Sequence, residues 1–331
     1  MVDCKNTELI YRRDDKNDQI LAFEIRGLHV ERVDPNQYVP NARVLMETLV
    51  SDMKGAPYKD FQDLVGFTIF CFPNMKHQDD LMALLMWTVF TFHLDDFLES
   101  QTTKLQYWVR IWEQKITAGH SFGTDFLDLC FNDLRARMNK VLSEKLILMH
   151  NSWYMKYLNF HLDTDKVKNG EHVFTFNEYD ALRFVDIGFI IMQVFLYGPS
   201  KFDPDDYPEI VTDDAWTEFN VWATRHYYYV NDLYSSKKET LQHQGKCTLI
   251  YVIICDDKCD AQTAADKLVA MIAESWTMVN KYGDNLRVHN IPLLHQYITD
   301  IICLLKGNVY WSSITPRYIK LSMYDNYQLQ A

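Results

Sequence analysis

Two sets of oxygen-bearing side chains in this 331-residue sequence stand at spacings that could hold metal ions. The first lies in Asn231-Asp232-Leu233-Tyr234-Ser235-Ser236-Lys237-Lys238-Glu239, where Asn231, Ser235 and Glu239 recur every fourth residue. At about 100° per residue these three drift only ~80° around a helix axis and form one stripe. Amide, hydroxyl and carboxylate oxygens are hard ligands that suit Mg²⁺ or Mn²⁺. The stripe spans ~12 Å, long for one ion. Helical side chains lean toward the N-terminus, however, so Glu239 can reach back. A solvated polar helix face has the same spacing, so the stripe needs a partner elsewhere to count as a ligand set.

A partner exists in Phe92-His93-Leu94-Asp95-Asp96-Phe97-Leu98-Glu99. Asp95 and Glu99 share a helix face, and Asp96 sits ~100° away from Asp95. Like charges at this spacing cost a bare helix a few tenths of a kcal/mol. They follow a mostly apolar run, Leu81 to Leu94. A polar helix end emerging into solvent is the other reading of this motif. If the two motifs face each other across a helical barrel, they would hold several divalent ions at its mouth, above a pocket of aromatic side chains. Ions over an apolar pocket suit a molecule with a phosphate head and a hydrocarbon tail.

The elements that must position these residues read as helices. No proline occurs from Asn74 to Gly198 or from Glu209 to Ile291, and apolar residues recur at three- and four-residue spacing. Helices are expected over residues 40–54, 59–71, 79–100, 102–118, 122–142, 143–164, 176–197, 212–237, 246–256, 260–282 and 291–306. The helix at 212–237 must extend to Glu239 if that residue joins the stripe. Loops are expected at 165–175, 200–210 and 307–316. Residues 1–35 read as irregular, with one alternating stretch, Leu21–Ile25, that suits a strand. The expectation is a single all-α domain over residues 1–331, since strand signals are few.

Composition narrows the function classes. The chain is 48% apolar and 14% aromatic, which supports a large core and an aromatic pocket. A net charge of −12 argues against a nucleic-acid or anionic-membrane surface. The seven cysteines are scattered, form no CxxC pair, and give Cys255 and Cys259 no second Cys/His pair for zinc. Free thiols fit a reducing compartment. Met1 to Asp14 is polar with both charge signs, unlike a secretory or transit segment. The longest apolar run falls short of the ~20 residues needed to span a bilayer. A soluble cytoplasmic protein without a transmembrane segment, monomeric or homodimeric, is expected.

DDxxE at Asp95–Glu99 and NDxxSxxxE at Asn231–Glu239 resemble the two metal-binding motifs of class I terpene synthases of the microbial, single-α-domain type. The Glu at 99 stands where many members have Asp. Arg183, 48 residues before Asn231, resembles the family's pyrophosphate-sensing Arg. Asp186 resembles its linker Asp, and Ile187 the residue whose carbonyl faces the pocket, at a helix break helped by Gly188. Trp311 and Arg317-Tyr318 resemble a pocket Trp and a closing Arg-Tyr pair, and Lys238 stands where the family places a diphosphate-binding Lys. These signals occur in the family's order from residue 95 to 318.

The resemblance implies an α-helical bundle or barrel around a central apolar pocket. It implies a carbon–oxygen lyase that ionises a prenyl diphosphate and cyclises the carbocation. Three Mg²⁺ ions are implied, with Mn²⁺ as the alternative. The implied metal ligands are Asp95, Asp96, Glu99, Asn231, Ser235 and Glu239, and Arg183, Lys238, Arg317 and Tyr318 would bind diphosphate. Phe92 and Trp311, then Phe67, Phe70, Trp87, Phe184 and Tyr227, are the pocket candidates; for each, ordinary core packing is the plainer reading. The fifteen-carbon substrate is favoured and the twenty-carbon one comes next.

Other readings are weaker. A prenyl chain-elongating transferase shares the fold but would want a second aspartate-rich motif. A helical lipid-binding protein without turnover is the non-enzymatic reading. Gly119-His-Ser121-Phe-Gly123 matches a serine-hydrolase elbow, which needs a preceding strand, whereas the residues before it read as a helix. His93, Arg225 and His226 read as structural, and no HExxH, ExxH or P-loop occurs.

Overall fold

The computed structural model describes residues 8–9, 23–37, 39–55, 61–101, 103–168, 173–241, 247–315 and 317–318. Among them are thirteen α-helices: α1 (Val39–Lys54), α2 (Phe61–Cys71), α3 (Gln78–Glu99), α4 (Leu105–Ala118), α5 (Phe126–Val141), α6 (Glu144–Lys168), α7 (Phe176–Asp186), α8 (Phe189–Ser200), α9 (Pro208–Val211), α10 (Asp214–Leu241), α11 (Leu249–Asp257), α12 (Ala261–Arg287) and α13 (Pro292–Ile314). Two short strands, β1 (Glu8–Leu9) and β2 (Phe23–Glu24), pair antiparallel. The strand expected at Leu21–Ile25 is therefore found at its middle, and Leu21 and Ala22 lie outside the described residues.

Local chemistry sets many of the helix ends. Asp125, Thr175, Thr248 and Asp260 cap α5, α7, α11 and α12 with side-chain oxygens, and Thr175 forms a capping box with Glu178. Each such cap is worth about 1 kcal/mol. Gly119 ends α4 in the left-handed region, and Pro292 opens α13.

α3 is the central element. It is buried from Asp80 to Thr91, so its apolar residues cover the whole circumference rather than one stripe. It packs against α5, α2 and α1, while α10 packs on α12, α13 and α11, and α13 on α2. The hydrophobic interior forms two clusters, and Ile187 and Tyr234 pack against both.

Three expectations are corrected or sharpened. The segment 176–197, expected as helix with a break at Gly188, is two helices, because Gly188 has φ +69° and separates α7 from α8. Other residues pay about 1–2 kcal/mol for that conformation. The loop expected at 307–316 is helical as far as Ile314. Gly307 is a contact residue there, not a terminator: a Cβ on it would lie 2.2 Å from the Phe70 carbonyl oxygen. Its bare backbone lets α13 approach α2. Third, α6 runs to Lys168, beyond the expected end, and a 3₁₀ turn (Pro204–Asp206) and α9 interrupt the loop at 200–210.

Two segments, Gln78–Glu99 and Phe176–Ser200, are long and apolar enough to cross a membrane by length and composition. The first is a core helix with 72% of its most apolar window buried in the protein, and the second contains the break at Gly188.

Candidate active site

α3 leaves the core at its C-terminal turn and there carries Asp95, Asp96 and Glu99, whose nearest carboxylate oxygens all lie within 4.8 Å of one another. Asp95 Oδ1 accepts a hydrogen bond from Tyr157 at 2.8 Å, and His161 Nε2 stands 3.6 Å from the same oxygen. Asp96 is about half exposed and is met by Arg317 at 3.2 Å and Lys238 at 3.4 Å. Partial burial pushes its carboxyl up, but the Arg317 and Lys238 charges outweigh this and hold it below the usual carboxylate range.

The opposing set lies on α10, which reaches Leu241 and so keeps Glu239 in register with Asn231 and Ser235. Ser235 Oγ donates to Glu239 Oε1 at 2.6 Å. Asn231 Nδ2 donates to the Tyr318 hydroxyl at 3.1 Å, and Asn231 Oδ1 accepts from Arg183 Nη2 at 2.7 Å. Arg183 is the hub. Its Nε and Nη2 donate to Asp232 Oδ1 at 3.0 and 2.7 Å, and its Nη1 donates to Asp186. Asp232 is fully buried and also accepts from the Tyr179 hydroxyl at 2.5 Å. Burial works against the Arg183 charge, yet Asp232 and the neighbouring groups raise its pKa further.

The charge balance here fits a divalent cation. Burial pushes the Asp186, Asp232 and Glu239 carboxyls up, and Arg183 offsets this only in part. Asp232 adds to the rise at Glu239. Three acids, one fully buried and two half-buried, thus cluster about one guanidinium, and the Asn, Ser and Glu oxygens beside them are hard donors of the kind Mg²⁺ takes.

Both sets open into one cavity of about 150 Å³. Asp95 and Glu99 line one part of it, and Asn231, Ser235, Lys238 and Glu239 another. Arg183, Asp186, Ile187, Arg317 and Tyr318 line it as well. Of the expected pocket aromatics, Phe67, Trp87, Phe92 and Tyr227 face this space. Three others do not. Phe70 packs edge-on against Tyr310, and Phe184 is half-buried away from the lining. Trp311 stands behind the wall, with its ring 5.2 Å from Phe67 and 6.3 Å from Phe92. Asp96 is likewise absent from the lining, held by its two cations.

The sequence reading missed Tyr157, Phe160 and His161 on α6, Phe174 just before α7, Tyr179 in the first turn of α7, and Met192 on α8, all in the cavity wall. Tyr157 and His161 stand four apart on a largely buried helix face, and that spacing of polar-tipped rings was their only signal. The Gly119–Gly123 segment is a turn between α4 and α5 with no strand before it, as expected. There Ser121 Oγ donates to Asp128. Gly123 is required, because a Cβ would overlap the Asp128 carboxylate.

Compared by sequence with curated proteins, the chain finds no match. Among solved structures it is similar to 2-methylisoborneol synthase from Streptomyces coelicolor A3(2) in complex with Mg²⁺ and geranyl-S-thiolodiphosphate. That match has 16% identity and a TM-score of 0.75, covering 89% of this chain and 97% of that one. It is also similar to linalool/nerolidol synthase from Streptomyces clavuligerus, at 13% identity and TM-score 0.74, covering 86% and 99%. A third is germacradien-4-ol synthase from Streptomyces citricolor, at 15% identity and TM-score 0.69, covering 86% and 97%. At these identities the likeness shows the fold, the all-α fold of class I terpene synthases. The family model for terpene synthase family 2, C-terminal metal binding, matches residues 86–278, more than half of the chain and a stretch that includes both acidic motifs. The chain belongs to terpene synthase family 2 and is a terpene synthase.

Proposed function

We propose that the enzyme ionises an allylic prenyl diphosphate and cyclises the resulting carbocation, with release of pyrophosphate. Farnesyl diphosphate is the favoured substrate and geranylgeranyl diphosphate the next. The observation that carries this reading is that Asp95 and Glu99, and Asn231, Ser235 and Glu239, line the same cavity as Phe67, Trp87, Phe92 and Tyr227. Solved complexes of a similar fold with Mg²⁺ and 2-fluorogeranyl diphosphate support the choice of metal and substrate class. The two hydrophobic clusters share Ile187 and Tyr234, which supports one catalytic unit.

Asp95, with Asp96 and Glu99 beside it, would hold metal on one side of the mouth, and Asn231, Ser235 and Glu239 on the other. Mg²⁺, expected as three ions and replaceable by Mn²⁺, supplies Lewis-acid neutralisation of the leaving diphosphate when bound. The protein's own groups do the rest. Asn231 Oδ1 accepts from Arg183 Nη2 at 2.7 Å and would ligate through its second lone pair, and Arg183 Nη2 would turn from it to give a diphosphate oxygen a guanidinium donor. Lys238 and Arg317 likewise turn from Asp96 to the diphosphate, and the Tyr318 hydroxyl keeps its own proton to donate while accepting from Asn231. Asp232 and Asp186 hold the Arg183 fork in place during the exchange.

The C–O bond then breaks with its electron pair on the diphosphate oxygen. Placed donors of this kind lower such barriers by several kcal/mol. Ile187 ends α7 at the cavity, where a helix terminus leaves carbonyls unpaired within the helix and available to a cation. Phe92, Phe67, Trp87 and Tyr227 present ring faces or edges to the hydrocarbon, and a desolvated ring face stabilises a cation by ~2 kcal/mol. Mass spectrometry of hydrocarbons made from the ten-, fifteen- and twenty-carbon diphosphates tests the reading. A cyclic fifteen-carbon product is expected. Products lengthened by five-carbon units would favour a transferase, and no turnover of any substrate would overturn the proposal.

A further inference from the structure

We infer that Tyr157, supported by His161 one turn later on α6, is a positioning residue that sets the Asp95 carboxylate for metal binding. The inference rests on Asp95 being a metal ligand, as proposed above.

Among the described residues, two hydrogen bonds join α6 to α3. The Tyr154 hydroxyl meets Thr91 Oγ1 at 3.0 Å, and one turn further along both helices the Tyr157 hydroxyl donates to Asp95 Oδ1 at 2.8 Å. Tyr157 is 3% exposed, so its hydroxyl is out of bulk water and depends on this partner. A buried donor left unmade is costly, and a bond to an ionised acceptor is among the stronger kinds. The ring cannot swing away. It stands edge-on between Tyr154, at 5.3 Å and 67°, and His161, at 5.1 Å and 86°. His161, 4% exposed, brings Nε2 to 3.6 Å from the same carboxylate oxygen.

The consequence is geometric. Asp95 follows the mostly apolar run Leu81–Leu94 near the C-terminal end of α3, where a short carboxylate could take several rotamers. Tyr157 engages Oδ1 and fixes the side-chain torsion, which leaves Oδ2 and a second Oδ1 lone pair for a ligand. Partners of this type orient metal-ligating carboxylates generally, and their loss weakens metal binding by about 10- to 100-fold. Tyr157 and His161 also lie within electrostatic reach of Asp186, the carboxylate that holds Arg183. The pair lines the same cavity as Asp95, Asp186 and Arg183.

The test is Mn²⁺ binding to the free enzyme, measured by electron paramagnetic resonance without substrate. Tyr157→Phe keeps the ring and deletes the donor, and affinity should fall by about tenfold with helical circular dichroism unchanged. Where the smaller ring unsettles the core, 4-fluorophenylalanine at position 157 fills the hydroxyl's volume without donating, and the same loss is expected. Tyr154→Phe removes a buried hydroxyl from the same helix that does not touch Asp95, and affinity should stay within about twofold. Asp95→Asn separates the two readings. If it weakens binding while both position-157 variants match wild type, the positioning inference is wrong and the metal assignment stands. If Asp95→Asn also matches wild type, the metal assignment itself fails.

Discussion

Asp232→Asn probes the hub that ties α7 to α10. Asp232 is wholly buried and accepts three hydrogen bonds: two from Arg183, at 2.7 and 3.0 Å, and one from the Tyr179 hydroxyl at 2.5 Å. Removing one partner of a buried ion pair outright costs about 3–5 kcal/mol. The loss here should be smaller, because Arg183 keeps Asp186 and Asn231. The amide oxygen can still accept from the guanidinium, and those bonds stay charge-assisted on the donor side, so what is lost is the attraction between opposite charges. That leaves a cost of about 2 kcal/mol, below the full loss of a partner. The Tyr179 hydroxyl also reaches the Cys247 carbonyl at 3.1 Å, so it can donate there and accept from the new NH₂, and it adds little to the loss. Against this, Asp232 repels Asp186 and raises the Glu239 carboxyl, and removing that repulsion returns part of the loss. The expected net change is a destabilisation of about 2 kcal/mol. Urea unfolding reads it as a lower midpoint with an unchanged slope. A variant as stable as wild type, or more stable, would show that desolvation of this cluster outweighs its pairing and would refute the hub's contribution.

Further perturbations reach other parts of the molecule. Burial holds the His226 imidazole down to about 3, against an ordinary 6.5. The unfolded chain therefore binds more protons between those values, and stability present above about pH 6.5 is lost as pH falls, by ~2 kcal/mol from this group at pH 5. In His226→Phe, unfolding free energies measured near pH 7.5 and pH 5 should differ less by that amount; an unchanged difference would contradict the burial argument. Gly307→Ala would force a Cβ to within 2.2 Å of the Phe70 carbonyl oxygen and 2.5 Å of Cys71 Cα, both backbone atoms that cannot step aside. It should cost about 3 kcal/mol in urea unfolding, the upper end of the usual range for overpacking, by separating α2 from α13. Dialysis against EDTA should abolish pyrophosphate release, and Mg²⁺ should restore it; release that survives chelation would exclude a metal-dependent ionisation.

The helices and the chemistry-bearing residues were legible for different reasons. The long helices showed because proline is absent over 74–198 and 209–291 and apolar residues recur at helical spacing. The acidic and Asn/Ser/Glu motifs showed because their members lie four apart on single helices, where local spacing is spatial adjacency. What depends on contacts between helices did not show. Gly307 reads as a terminator until α2 is seen against it, and Trp311 reads as a pocket residue until Phe67 and Phe92 are found in front of it. Tyr157 touches Asp95 across 62 residues of sequence, and Tyr179 touches Asp232 across 53. A buried Tyr at helical spacing has the same pattern as ordinary core, and only its partner distinguishes the two. Asp232 lies outside the Asn/Ser/Glu stripe, and the three hydrogen bonds that it accepts come from Arg183 and Tyr179.

The central claim is that Asp95 on α3 and Asn231 on α10 act as two sides of one metal clamp that drives ionisation. Initial rates of pyrophosphate release from farnesyl diphosphate with Mg²⁺, measured for wild type, Asp95→Ala and Asn231→Ala, test it most directly. The account predicts steady release by wild type and a loss of at least 100-fold in each variant, within the range for removal of placed electrostatic groups. Full activity in either variant, with its fold intact, would contradict it.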